Sequence, residues 1–288
     1  MVKPKPWVLI LFALPTVLFY WYFFISPLGS TIYNSFFEWN GLSDKTFIFL
    51  ENYIALAQDK IFYRALLNTF YWVFLVLLIQ IPVGFLLAYF LYTKVAGFKF
   101  LRTVYFFPVV TSTVAIALVF SFIYEPTFGI LNTILHQVGL GNLATAWLSN
   151  PATAMTAVSV PFIWSYIGLT MVIIYSGLQS MPEEMLEAAE LDGVNFFQRI
   201  YYIILPSIKS VMVVSLVLGI SYAFKQFDYV LLLTNGGPIH RTEVTGTYMY
   251  NQGFQNMNYG FGNAIAVTMT VIVLIISFSI NKAMTSKD

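Results

Sequence analysis

Apolar residues in this chain come in blocks of twenty or more, separated by short polar or Gly/Pro-marked connections. A helix needs roughly 20 mainly apolar residues to cross the hydrocarbon core of a bilayer. Six stretches meet that length: Trp7 to Pro27, Leu66 to Tyr92, Thr103 to Tyr124, Thr153 to Leu178, Val211 to Leu233 and Phe261 to Ile280. The pattern therefore predicts an all-α integral membrane protein with six spans. Residues 1–65 read as an anchor helix with its following loop, and residues 66–288 as a five-span core. The first span follows Lys3 and Lys5 but is too long for a signal peptide and lacks a small-residue cleavage pattern, so it reads as a retained anchor.

Positive residues fix the expected orientation, because lysine and arginine flanking a span are held on the cytoplasmic side. With the N-terminus inside, Lys3, Lys5, Lys94, Lys99, Arg102, Arg199, Lys209, Lys282 and Lys287 are cytoplasmic, against Lys45, Lys60, Arg64 and Arg241 outside. Both termini are thus expected in the cytoplasm. The link from Thr93 to Arg102 contributes three of these charges.

The connection between the fourth and fifth spans is unlike the others. SMPEEMLEAAELDGVNFFQRIYYIILP reads as two short helices. Ser180 and Glu183 have capping-box spacing, Pro182 suits a first turn, and Met181, Met185, Ala188 and Ala189 recur at helical spacing. Gly193 then supplies the residue type that ends a helix in a left-handed turn. Asn195 and Gln198 repeat the cap spacing for a second helix, and Pro206 limits it. An amphipathic hairpin could lie on the membrane surface. However, Glu183, Glu184, Glu187, Glu190 and Asp192 outnumber Arg199 and Lys209, and an anionic inner leaflet repels such a segment. A protein partner fits its charge better.

Composition narrows the chemistry. Only 9% of residues are charged, against about 25% in soluble domains, and the net charge of +1 gives no sign of a nucleic-acid partner. There is no cysteine and there are two histidines, His136 and His240, which excludes thiol catalysis and leaves little for a metal site. Both histidines read as solvated or capping residues in external loops. No G-x-x-x-x-G-K-[ST] string is present, so the usual phosphate-cradling loop for ATP is missing.

Glu187-Ala188-Ala189, three residues, Gly193, nine residues, Ile203, one residue, then Leu205-Pro206 resembles the EAA motif of the permeases of binding-protein-dependent ABC importers. Ser210 stands where a second proline is common. The resemblance implies the type I importer permease fold, with Glu187, Ala188, Ala189, Asp192, Gly193, Leu205 and Pro206 coupling the membrane helices to an ATP-binding subunit dimer. It implies no cofactor on this chain, ATP and Mg being held by the ATPase. GFKFLRTVYFFPVVTSTVAIALVFSFIYEPTFGILN and the segment FDYVLLLTNGGPIHRTEVTGTYMYNQGF are similar to MalF-like sugar permeases. That implies a MalG-like second permease, an extracytoplasmic solute-binding protein and a sugar substrate.

In MalF-like permeases the stretch LGISYAFKQFD lines the solute path, which points here to Gly219, Tyr222, Ala223 and Gln226, with Ser165, Tyr166 and Leu169 opposite. Gly219 and Ala223 also suit close helix packing. Lys225 and Asp228, three apart on the expected helix, are placed to neutralise one another. Two other readings remain: an ion-gradient transporter, for which Asp228 is the sole acid inside a span, and an importer of a polyol or glycerol phosphate, which would want an arginine in the path.

Overall fold

The computed structural model describes residues 6–93 and 97–285. Lys3, Lys5, Lys94 and Lys287 of the charge count, and the side chains of Glu183 and Glu190, lie outside the described residues. Among the described residues five helices are long and apolar enough to cross a membrane, with a bent pair that makes six if it is one span: the five are α1 Leu11–Asn34, α2 Lys60–Tyr92, α5 Ala154–Gln179, Lys209–Leu233 and one beginning at Tyr259. The last is α9, Tyr259–Thr285. Between α2 and α5 run α3, Phe98–Val110, and α4, Thr113–Ile123. The hairpin helix α6, Glu183–Leu191, follows α5.

The expected single span Thr103 to Tyr124 is not one helix. α3 and α4 meet at 97°, because Thr111 and Ser112 take extended backbone with ψ of 140° and 132°. Pro108, buried inside α3, has no N–H for the carbonyl of Val104, which weakens the last turn before that bend. The expected fifth span also breaks. It consists of α7, Lys209–Phe224, and α8, Asp228–Leu233, with Phe227 at φ −143° between them.

Prolines mark other irregular turns. π-helical turns over Trp21–Ile25, Val76–Gln80 and Arg199–Ile204 are each followed two residues later by a proline, Pro27, Pro82 and Pro206. A proline ring clashes with the carbonyl four residues back, and widening the preceding turn relieves that clash without ending the helix.

The chain divides into two compact units. The first comprises Met1–Lys60 and Met249–Ile272. In it β1, Phe37–Glu38, pairs antiparallel with β2, Thr46–Phe47. The amide of Asn52 donates to the carbonyls of Ser35 and Phe37 at 2.9 and 3.0 Å, holding this hairpin. The indole of Trp39 lies 5.6 Å from the ring of Tyr259, with the Lys45 ammonium 4.2 Å over it.

The second unit comprises Ile61–Tyr248 and Val273–Asp288. Its core is built on α2 and α5, whose facing positions Phe85, Ala88, Leu91, Met171, Ile174, Tyr175 and Leu178 are buried together. Gly168 brings α3 within backbone contact of α5: a side chain there would run into the carbonyl of Tyr105. Gly219 lets α7 pack closely on the α2 side chains, where a Cβ would stand 2.7 Å from Val76 Cγ1.

Candidate functional site

The hairpin after α5 is closed by backbone geometry. Gly193 has φ +69°, and the N–H of Val194 reaches back to the carbonyl of Ala189 at 3.1 Å, the six-to-one bond of a Schellman termination. Asn195 then opens the next turn with a complete capping box. Its side chain accepts from the Gln198 N–H at 2.9 Å, and the Gln198 side chain accepts from the Asn195 N–H at 3.0 Å. The second turn widens over Arg199–Ile204, passes Pro206 and breaks at Ile208.

Two readings of this segment need correction. Ser180 is the C-cap of α5, with φ −85° and ψ −5° where an N-cap takes extended backbone, and its hydroxyl donates to the carbonyl of Gly177 at 2.7 Å, so it ends α5 and does not open α6. The expected apolar face is also divided. Met181 and Ala189 are buried, with Leu186 partly so, but Met185 and Ala188 point outward beside Glu184, Glu187, Leu191 and Asp192. Leu191 is 90% exposed. The inward face joins Ile204 and Ile208 in the α2–α5 core, and partly buried Leu205 packs against it. One side of the hairpin is therefore fixed to two membrane helices, while the other presents carboxylates and apolar side chains to its surroundings.

A second constellation lies along α5 and α7. The rings of Trp72 and Phe162, Phe162 and Tyr166, and Tyr166 and Tyr222 each stand 4.9 Å apart, forming one aromatic column. Tyr166 and Tyr222 are partly exposed, and Leu169 beside them is partly buried. Ser165 is turned elsewhere. Its hydroxyl donates to Pro161 at 2.7 Å, so the hydroxyl of Tyr229, also 2.7 Å away, is the donor in their contact. Gly219 and Ala223 are buried in helix packing, and Gln226 is buried at the α7–α8 break with no side-chain hydrogen bond among the described residues.

Lys225 and Asp228 do not neutralise each other as expected. The helix ends between them, both are exposed, and no ion pair joins them among the described residues. The histidines differ as well. His136 sits in the last turn of the helix Ile130–Gln137. His240 Nδ1 lies 2.9 Å from the carboxylate of Glu243, whose side chain is only 2% exposed.

Glu243 is absent from the sequence expectations. It sits under the Asn235-Gly236-Gly237-Pro238 turn, which is further held by Thr242 donating to Gly237 at 2.6 Å. Asn68 on α2 donates to the carbonyls of Arg241 and Glu243 at 3.0 and 2.7 Å. A lone acid between Thr242 and Val244-Thr245, beside a Gly-Gly-Pro turn, is the available signal for this buried carboxylate.

Residues 80–285 match the family model described as binding-protein-dependent transport system inner membrane component. The chain is 36% identical over 258 residues to the "Probable ABC transporter permease protein YurN" of Bacillus subtilis (strain 168), covering 88% of each. It is 34% identical over 272 residues to the arabinooligosaccharides transport system permease protein AraP of the same organism, covering 93% of this chain and 85% of that one. Among solved structures it is similar to a chain of a bacterial ABC transporter involved in the import of the acidic polysaccharide alginate. The TM-score is 0.84 at 25% identity, over 98% of this chain and 96% of that chain. The chain therefore belongs to the inner-membrane permease components of binding-protein-dependent ABC transport systems, the multi-pass, non-catalytic subunits of such transporters.

Proposed function

We propose that this chain is the MalF-like half of a permease heterodimer that imports a sugar of the oligosaccharide class by alternating access. The observation that carries this is the outward face of α6. Glu184, Glu187 and Asp192, with Met185, Ala188 and Leu191, are exposed on a hairpin whose other face is locked into the α2–α5 core. Exposed apolar side chains beside carboxylates on an otherwise fixed hairpin make a surface that a protein partner can cover. On this reading it seats in the ATP-binding subunit, on the cytoplasmic side with both chain termini, and closure of the ATPase dimer is delivered to α2 and α5 through Met181, Ala189, Ile204 and Ile208. ATP and Mg belong to that partner. Coupling is carried by Glu187, Ala188, Ala189, Asp192, Gly193, Leu205 and Pro206.

The solute path runs beside Tyr166 and Tyr222, whose partly exposed rings offer the flat apolar faces a pyranose stacks on, with the buried Gln226 amide, unbonded among the described residues, left to pair with hydroxyls. Leu169, Ser165, Gly219 and Ala223 shape and pack the surrounding helices. Sugar-related names among similar permeases support this cargo, as does the lack of arginine on α5, α7 and α8. A solute-binding protein delivers the sugar from outside, and within the first unit a cavity of about 500 Å³ lined by Trp39, Asn40, Asn52 and Asn258 is a candidate surface for it.

The test is ATP-dependent uptake of labelled arabino-oligosaccharides and maltodextrins by the complete transporter in vesicles with its binding protein. Glu187→Ala should lower uptake about tenfold, the equivalent of 1.4 kcal/mol of coupling, while the chain stays inserted. Uptake that survives ATP depletion and collapses with an ionophore would overturn the reading in favour of an ion-driven carrier.

A further inference from the structure

A cavity of about 420 Å³ lies between α3 and α5, lined by Phe98, Lys99, Arg102, Thr103, Phe106 and Val172. Lys99, Arg102, Thr103 and Phe106 fall at i, i+3, i+4 and i+7, so they share one face of α3. The cavity is charged at one end and apolar at the other, with roughly 10 Å along the helix between Lys99 and Phe106. The Arg102 guanidinium is held over the Tyr175 ring at 5.5 Å.

Nothing in the cavity walls answers the two charges. From Lys60 to Tyr124, and again from Thr153 to Pro182, the sequence contains no aspartate or glutamate, so α2, α3, α4 and α5 carry no carboxylate at all. Among the described residues neither Lys99 nor Arg102 makes an ion pair. Cations in the first turns of a helix also oppose its own dipole, which adds to the positive potential there.

We propose that this cavity binds an anionic phospholipid of the inner leaflet, its phosphate between Lys99 and Arg102 and the start of an acyl chain against Phe106 and Val172. The apolar end is what selects a lipid over free phosphate, which would use only the charged end. The proposal rests on the cytoplasmic placement of this side of the protein, read above from lysine and arginine positions. It does not depend on the sugar assignment.

The test uses the complete transporter complex, purified in mild detergent and examined by native mass spectrometry with phosphatidylglycerol, phosphatidylcholine or inorganic phosphate added. Phosphatidylglycerol should be retained and phosphatidylcholine should not. The double variant Lys99→Gln/Arg102→Gln should lose retention about thirtyfold, since each cation near an anionic surface contributes a factor of about five. Arg102→Lys and the distant Lys282→Gln should keep it, separating charge loss from misfolding. Equal retention of both lipids, unchanged retention in the double variant, or displacement of phosphatidylglycerol by millimolar phosphate would overturn the proposal. So would cross-linking of Lys99 to a carboxylate of the partner permease in place of lipid. Labelling of Lys99→Cys from the outer face would sink the leaflet assignment, and with it the cytoplasmic seat of α6, while the sugar assignment is left to the uptake experiment.

Discussion

The α6 hairpin and the α7–α8 break are both interruptions of helical structure, and they are built in opposite ways. In the hairpin the backbone is fully closed, by the Gly193 termination and the Asn195 capping box, while the side chains of Glu184, Glu187 and Leu191 face outward. At the break the backbone is irregular, yet neighbouring side chains close on each other, Tyr229 on Ser165 and Tyr222 on Tyr166. A rigid frame holding an unanswered surface is suited to meet another protein. An irregular frame whose aromatic side chains close on one another, while Lys225, Gln226 and Asp228 stay without side-chain hydrogen bonds or ion pairs among the described residues, is suited to sit beside a passing solute and keep its shape.

The sharpest way to break this contrast is at Gly193. A Cβ there would meet nothing within 4 Å, so Gly193→Val acts through the backbone alone, at φ +69°. The strain of about 1–2 kcal/mol should open the hairpin and cut uptake roughly tenfold at unchanged protein level, whereas Gly193→Asn, which tolerates a left-handed conformation, should keep most of it. Uptake assays with quantified membrane protein decide this. At the break, Tyr222→Ala should raise the half-saturating sugar concentration about fivefold, and Tyr222→Phe, which keeps the stacked face, should change it little. Equal effects of the two changes would show that the hydroxyl, and not the ring, matters.

A smaller effect is expected from Asn195→Ala, which removes the bond from the Gln198 N–H to the Asn195 side chain, leaves the one from the Asn195 main-chain N–H to Gln198, and costs about 1 kcal/mol of local stability. Faster tryptic cleavage at Arg199 would report it. Gln80→Leu should be nearly silent. It gives up a hydrogen bond to Thr170 at 2.9 Å, on the order of 0.6 kcal/mol within a membrane protein, but also removes a buried carbonyl oxygen that has no partner. Thermal unfolding within a few degrees of the parent is the expected result.

The smallest effect is in pH. Glu125 accepts from the N–H groups of Phe128 and Thr127 at 2.7 and 2.6 Å, and the Phe128 bond is the first cause holding its carboxyl below the ordinary carboxylate range. A depressed carboxyl stabilises the folded turn above its unfolded value and loses that contribution only as pH falls through the lower, folded one. Proteolysis of the 125–129 turn should therefore be flat from neutral pH down to the carboxylate range and rise only below it.

Much of this architecture was legible because membrane helices announce themselves by length, and because cap residues act locally. Gly193 and the Asn195–Gln198 pair need only a few residues to define their roles. What hydropathy hid were the breaks. Thr111-Ser112 and Lys225 to Phe227 are short polar or mixed interruptions in apolar runs, and averaging over a span erases them. Ser180 was ambiguous for another reason: a serine between two helices can serve the end of one or the start of the next, and here its hydroxyl donates to the Gly177 carbonyl. The burial of Glu243 depends on Asn68, 175 residues away, and no local pattern contains that.

The wide turn at Val76–Gln80 has a genetic consequence. A π turn is an α-helix carrying one surplus residue, and the surplus is confined to those five positions. In most membrane helices a one-codon deletion rotates everything beyond it by about 100°, which exchanges lipid-facing and core-facing surfaces. Within α2, a deletion among Leu77, Leu78 and Ile79 would instead turn the wide turn into an ordinary one and leave Phe85, Ala88 and Leu91 facing α5. This stretch of the gene can therefore lose a codon without scrambling the helix beyond it, although the proline clash the wide turn relieved would return.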